Sequence, residues 1–584
     1  MKIKHFFGLA VIAAMTASCS SNEDLGTAGS GTGTNETGVG YATFTINLPS
    51  VSGTRADAGG AEMNEGTKEE YAVKSATALI FQKYGADEGS NKFVESVTLP
   101  IDGWTDDPED GITTTSKKLV AKLTNVDTKN DYSVLILLNN TKVALPTVGQ
   151  SYNDWNSKNI LTPLVTDWTG SDGFYMANAP LKGSGASPAI LVPINKDKIY
   201  ASEAIAKEDA SECAATVFVE RGVAKMSVAD PTPTDPIKVK DKATKAETES
   251  TVKFNNWALD ITNKKTYAVH NIDGLESDFG DIWKTDPSNR FIGTNNRVYW
   301  GKDPNYDNKD LKLTDKDAER QAEFNFITAT SQIDKDFANT TNTNPVYCLE
   351  NTFNLTNMYQ GQTTRVIFKA KYAPKDDAGN SLADDDETFY TIGNMTTILN
   401  TGKLKAAVNA VANPVLPTGY TIDYTNFMTK EGSHVITLAD IKNASGTPLV
   451  AGTDYSGKKG EEIVADINTK LGLTDGGGRA EAKVGINTYL QGVTYYIARV
   501  KHFGDALTKW NSGESYGDNN KQYLGRYGML RNNWYELTVG NVYGPGYPGV
   551  PPVDPTLPDD ENEKYLSVSV KILSWAKRSQ SVDL

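Results

Sequence analysis

The stretch from Tyr41 to Pro49, YATFTINLP, alternates strictly, with Ala42, Phe44, Ile46 and Leu48 on one side and Tyr41, Thr43, Thr45 and Asn47 on the other. A period of two is that of a half-buried β-strand, because successive side chains leave opposite faces of the pleat. Directly after it, Ser50 to Glu62 (SVSGTRADAGGAE) is small, polar and Gly-rich around one basic residue, Arg55. Such a segment has nothing to bury and reads as an exposed loop open to proteases.

Upstream, Ser20 to Gly40 is mostly Gly, Ser, Thr and Asn and cannot bury enough surface to order itself, so it reads as a tether. Before it stand Lys2 and Lys4, an apolar run from Phe6 to Met15, and the small residues Thr16, Ala17 and Ser18. This is a secretory signal, too short to span a bilayer as a helix. Cys19 at its end resembles the acceptor of a bacterial lipobox, with Thr16 where that pattern has Leu, and acyl chains there would hold the precursor to the outer membrane. The run Ser20-Ser21-Asn22-Glu23-Asp24 is similar to the acidic export tag of Bacteroidetes surface lipoproteins.

Downstream, strands are expected at Ala78 to Phe81, Leu119 to Leu123, Val134 to Leu138 and Thr216 to Val228. Further ones are expected at Phe254 to Ile261, Arg365 to Lys371, Val435 to Leu438, Val493 to Val500 and Trp534 to Val539. Clusters of Gly, Asn, Asp and Thr separate them, and helical periods are scarce outside Ser202 to Glu208 and Glu461 to Leu471. That pattern predicts an all-β chain of sandwich type with a few short helices. The 584 residues allow more than one core, and the polar stretch Asp230 to Ser250 is where a domain boundary is expected.

Tyr543 to Glu563 carries Pro545, Pro548, Pro551, Pro552, Pro555 and Pro558, the composition of an extended spacer. Beyond it Leu566, Val568, Val570 and Ile572 alternate with Ser567, Ser569 and Lys571. An apolar strand tethered behind a proline spacer is expected to be free to pair elsewhere.

The formal charge of −15 would repel nucleic acid and anionic lipid alike. Cys19, Cys213 and Cys348 are the only cysteines, which excludes a disulfide framework. Gly452 to Gly460 nearly matches a phosphate-binding loop, but Lys459 replaces the Ser or Thr that would hold magnesium. Asp303, Asn305, Asp307 and Asp310 begin like a calcium loop whose closing Gly and Glu are replaced by Asn308 and Thr314; Asp384 to Glu387 is a second acidic loop. His270, His434 and His502 are too scattered for a zinc motif. No catalytic residue, cofactor or metal site is expected. Tyr495, Tyr496, Trp534 and Tyr535 leave one other reading open, an aromatic sugar-binding face on a monomeric, surface-anchored lipoprotein.

The pieces ATVFVERGVAKMSV (Ala215 to Val228), TRVIFKAKY (Thr364 to Tyr372), VTYYIARVKHFG (Val493 to Gly504), LRNNWYELTV (Leu530 to Val539) and YLSVSVKILSW (Tyr565 to Trp575) resemble, in this order, the fimbrillins of Bacteroidetes. Among those the pattern is most similar to shaft subunits of Porphyromonas-type minor fimbriae. The resemblance implies two transthyretin-like β-sandwiches in tandem, lipoprotein export, cleavage by an extracellular, Arg-specific trypsin-like protease, and donor-strand exchange. On this sequence it implies a signal peptide 1–18 and a lipidated propeptide 19–55 with a removable strand 41–49. It further implies sandwiches 56–235 and 236–542, a spacer 543–563 and a donor strand in 564–584. The lipid would sit on Cys19, the cut between Arg55 and Ala56. Phe44, Ile46 and Leu48 would leave a groove for Leu566, Val568, Val570 and Ile572 of another copy in a head-to-tail fibre that supports adhesion and biofilm, with anchor and tip subunits as further partners. An anchor or tip role within the same fimbria is the other implied possibility; Arg55 together with a donor-like tail favours the shaft.

Overall fold

The computed structural model describes residues 32–49, 63–64, 66–102, 104, 116–182, 187–208, 213–229, 236–278, 280, 291–292, 297–337, 345–503, 508, 510–511, 514, 516–517, 520–558 and 566–575. The fold is predominantly β, with short helices and curled sheets.

The first sheet is built from β1 (Gly40–Asn47), β2 (Ala76–Gln82), β3 (Lys92–Thr98), β4 (Ser116–Leu123), β5 (Tyr132–Leu138), β6 (Met176–Asn178), β7 (Ile199–Tyr200) and β8 (Ala215–Arg221), with α1 (Glu203–Glu208) beside it. Its order is β7-β1-β8-β6-β5-β2-β3, and β4 pairs with the other edge of β1. β5 reads YSVLILL and is buried on both faces, which suits an unbroken apolar run in mid-sheet.

The chain passes to the second sheet at Gly222. The run Thr216 to Val228, expected as one strand, is two: β8 ends at Arg221 and β9 (Val223–Ala229) begins in the other sheet. The switch thus precedes the polar stretch Asp230 to Ser250. Glycine is needed there because a Cβ would sit 2.7 Å from the Trp168 ring. Around this joint lie buried ion pairs that composition did not disclose. Glu70 meets Lys225 at 2.8 Å and accepts from the Tyr347 hydroxyl at 2.5 Å, while Arg221 Nε donates to the Glu70 carbonyl at 2.9 Å. Glu220 pairs with Arg297 at 2.6 Å, and His270 Nδ1 lies in hydrogen-bond contact with it at 2.7 Å. Buried charges persist only when paired in this way.

The second sheet continues with β10 (Ile237–Lys240), β11 (Glu247–Asp260), β12 (Val346–Leu349) and β13 (Arg365–Ala373). Next, β14 (Phe389–Ile392) and β15 (Ile486–Tyr489) pair with each other as the neck of an insertion that has its own core and the helices α2 (Thr401–Ala412) and α3 (Gly460–Leu471). Val435 to Leu438, expected as a strand, lies in this insertion, where the strand is Gly432–His434. β16 (Val493–Arg499), β17 (Trp534–Val542) and β18 (Leu566–Trp575) complete the sheet, in the order β12-β9-β17-β10-β11-β13-β16 with β18 on the other side of β17.

Asp303 sits in this part of the molecule, its carboxylate accepting from Thr352 N at 2.5 Å and Asn305 N at 2.6 Å. Burial outweighs those bonds and pushes its pKa up to about 7. A carboxyl whose folded pKa is raised favours the fold fully below its unfolded pKa and loses that contribution as pH rises through the folded value. The stability difference between wild type and Asp303→Asn should therefore change between about pH 4 and pH 7, by on the order of 4 kcal/mol, with wild type losing ground as pH rises. Urea titrations of both proteins across that window check this; parallel pH profiles would refute it.

Candidate strand-pairing site

β1 is an interior strand. It runs antiparallel to β4 along its whole length, from Gly40 opposite Leu123 to Asn47 opposite Ser116. On its other side it pairs with β7 at Tyr41 and Ala42, and parallel with β8 from Phe44 to Asn47. Ala42, Phe44 and Ile46 are wholly buried and Leu48 is 1% exposed, all in the core of the first sheet. Polar contacts hold the other face: Thr43 Oγ1 donates to Ala206 O at 2.8 Å, Ala214 N to Thr43 O at 2.8 Å, and Ser116 Oγ to Asn47 Oδ1 at 2.7 Å. Burial of Phe44, Ile46 and Leu48 contributes about 1.5–3 kcal/mol each. Taking β1 away would leave β4 and β8 with unpaired edges facing an apolar slot, a template for another strand.

The tail strand β18 lies antiparallel to β17, with Leu566 opposite Val542, Val568 opposite Val539, Val570 opposite Leu537 and Ile572 opposite Tyr535. An irregularity in the register falls between Val539 and Asn541. The tail, expected to be free, thus has a place in its own chain. The reason is that β17 offers a second edge once β9 and β10 have taken the first. Met63–Asn64 pairs parallel with Ser574 and Trp575 at the far end of β18. Cys19, Arg55 and Ala56 lie outside the described residues.

The spacer, expected to be extended, bends at 548–550 and turns at 555–556, and from Tyr543 to Pro558 it is laid against the protein with donors of the body on its carbonyls. No signal in the sequence marked those partners, because they come from strands distant in the chain.

The remaining candidates resolve into structural roles. Tyr495, Tyr496, Trp534 and Tyr535 are fully buried and offer no sugar-binding face. His502 Nδ1 meets the Tyr535 hydroxyl at 2.8 Å, and His434 Nε2 lies 2.9 Å from Lys430 O. In Gly452 to Gly460, Asp454 and Lys459 close a turn before α3, and Glu461 accepts from Gly452 N at 2.8 Å. Asp384 accepts from Thr401 N at 3.1 Å and Asp386 from Thr388 N at 3.1 Å, so both brace the backbone. Cys213 and Cys348 are free thiols, and burial pushes the latter's pKa up to about 12. Among the described residues no three His, Cys, Asp or Glu side chains converge as metal ligands, and no helix is long and apolar enough to cross a membrane.

The fold and these two strands define a β-rich protein with one strand, β1, inside the core of the first sheet and another, β18, laid along β17. Residues 487–581 match the family described as major fimbrial subunit protein type IV, fimbrillin, C-terminal. The matched segment contains β16, β17 and β18. Among solved structures, a candidate cell adhesion protein from Parabacteroides distasonis ATCC 8503 is similar at 9% identity and a TM-score of 0.37, covering 92% of this chain and 99% of that one. No curated protein matches.

Proposed function

We propose that this chain is a structural shaft subunit of a surface fimbria. It is exported as a lipoprotein anchored through Cys19, cut after Arg55 by an extracellular Arg-specific protease, and polymerised by donor-strand exchange between two-sandwich, transthyretin-like subunits. Anchor and tip subunits would close the two ends of the fibre.

The observation that carries this reading is the position of β1. It precedes the Arg55 loop in sequence, yet it supplies the interior of the first sheet. One peptide bond therefore separates a filled core from an open groove. The tail strand supports the same reading, since it alternates like β1 and sits at the side of β17 over most of its length.

Phe44→Ala tests the proposal. In the uncut precursor it should cost about 3–5 kcal/mol, the usual penalty for emptying a buried aromatic site. In fibres grown from protein cut after Arg55 it should cost nothing, because Phe44 has left. Thermal melts of the two forms give the comparison. Equal destabilisation in precursor and fibre would mean that β1 stays in place, and the shaft reading would fall.

A further inference from the structure

The proline-rich segment after β17 crosses to the opposite end of the sheet. β16 is the last strand there, paired with β13 on its inner side. On its outer side Tyr495 N donates to Tyr547 O at 2.9 Å and Tyr547 N to Tyr495 O at 2.8 Å. β18 passes near β16 too, but its pairing is with β17.

The segment is gripped by its carbonyls. Tyr496 Oη donates to Gly544 O at 2.8 Å, Tyr489 Oη to Gly546 O at 3.1 Å, and Thr494 Oγ1 to Pro545 O. Farther along, buried Arg365 donates to Pro551 O at 2.7 Å while its Nε holds Asp260 at 2.8 Å. Tyr547 and Val550 pack against Tyr495 and Ile367 on the sheet face. Proline removes N–H donors and leaves the carbonyls, so a strap of this composition can be held by a sheet without offering a new edge in return. Gly546 makes the close approach possible: its φ is +69°, and a Cβ would lie 2.5 Å from Tyr495 O.

We infer that residues 543–551 form an edge guard, which stops the outer edge of β16 from accepting a strand of a second copy of this chain. An unpaired strand edge recruits other strands unless it is covered or charged. The guard confines strand addition to a site other than this edge, whichever site that is, so the inference stands apart from the shaft reading.

The test uses the uncut full-length precursor and two variants, Gly546→Val, which cannot make the approach, and Tyr547→Pro, which lacks the N–H given to Tyr495. Each should raise hydrogen exchange at the Tyr495 amide at least about tenfold. Each should also convert a monomer into concentration-dependent oligomers in sedimentation velocity, without any protease. A variant with a fast-exchanging Tyr495 amide that stays monomeric overturns the guard. Unchanged exchange in both variants overturns the grip described above. In wild type the Tyr495 and Tyr547 amides should be protected, and unprotected rates there would overturn the inference with no variant needed.

Discussion

Arg55→Ala protein is expected to remain a lipid-anchored monomer and to form no surface fibres. The uncut chain keeps β1 between β4 on one side and β7 and β8 on the other, with Phe44 and Ile46 wholly buried. An incoming strand would have to displace one that is already covalently attached, and an attached strand competes at an effective concentration in the millimolar range or above. Its departure would also strip ladder bonds worth about 0.5–1.5 kcal/mol each and expose three large apolar side chains. Electron microscopy of cells carrying the variant checks this, and fibres of normal length would show that cleavage at Arg55 is not the trigger.

Deleting Tyr565 to Leu584 is expected to give a folded subunit that accepts a strand but donates none. In the isolated chain β18 pairs along β17, with a second partner only where Met63–Asn64 meets Ser574 and Trp575. In the slot left by β1 it would have neighbours on both sides, β4 and β8, so the transfer exchanges one ladder for two and refills a core. β17 keeps its pairing with β9 and β10 after the deletion, and the truncated protein should still melt cooperatively, at a lower midpoint. Placing Asp at both Val568 and Val570 should block joining as well, since an unpaired carboxylate buried in the groove costs several kcal/mol or more. Either variant mixed with wild type should shorten fibres in proportion to its share, as read by electron microscopy. Loss of the cooperative melt would show that the subunit needs β18 to fold and cannot give it away; normal polymerisation would place donation elsewhere in the chain.

Local pattern carried much of the fold. The alternation in 41–49, the apolar run Val134 to Leu138 of β5 and the helical period of Glu461 to Leu471 each depend on neighbours a few residues away, and the structure has a strand, a strand and a helix there. The run Thr216 to Val228 shows the limit of that reading. Both halves have the composition of a strand, but the break at Gly222 is imposed by the Trp168 ring pressing on it from 54 residues earlier in the chain.

By itself the sequence determined that the chain is acidic and β-rich, and that an apolar strand stands on each side of a long intervening body. Those properties follow from composition and from the period of two, which need no partner to be recognised. Only the tertiary structure decided which edges the strands occupy: β1 in the interior of the first sheet, β18 beside β17, and the proline segment across β16. The same decision assigned the four aromatics to the core and paired Glu70 with Lys225. Pairing partners and buried charge networks are set by contacts between residues tens to hundreds of positions apart, and a one-dimensional pattern holds no trace of which distant edge will be left open.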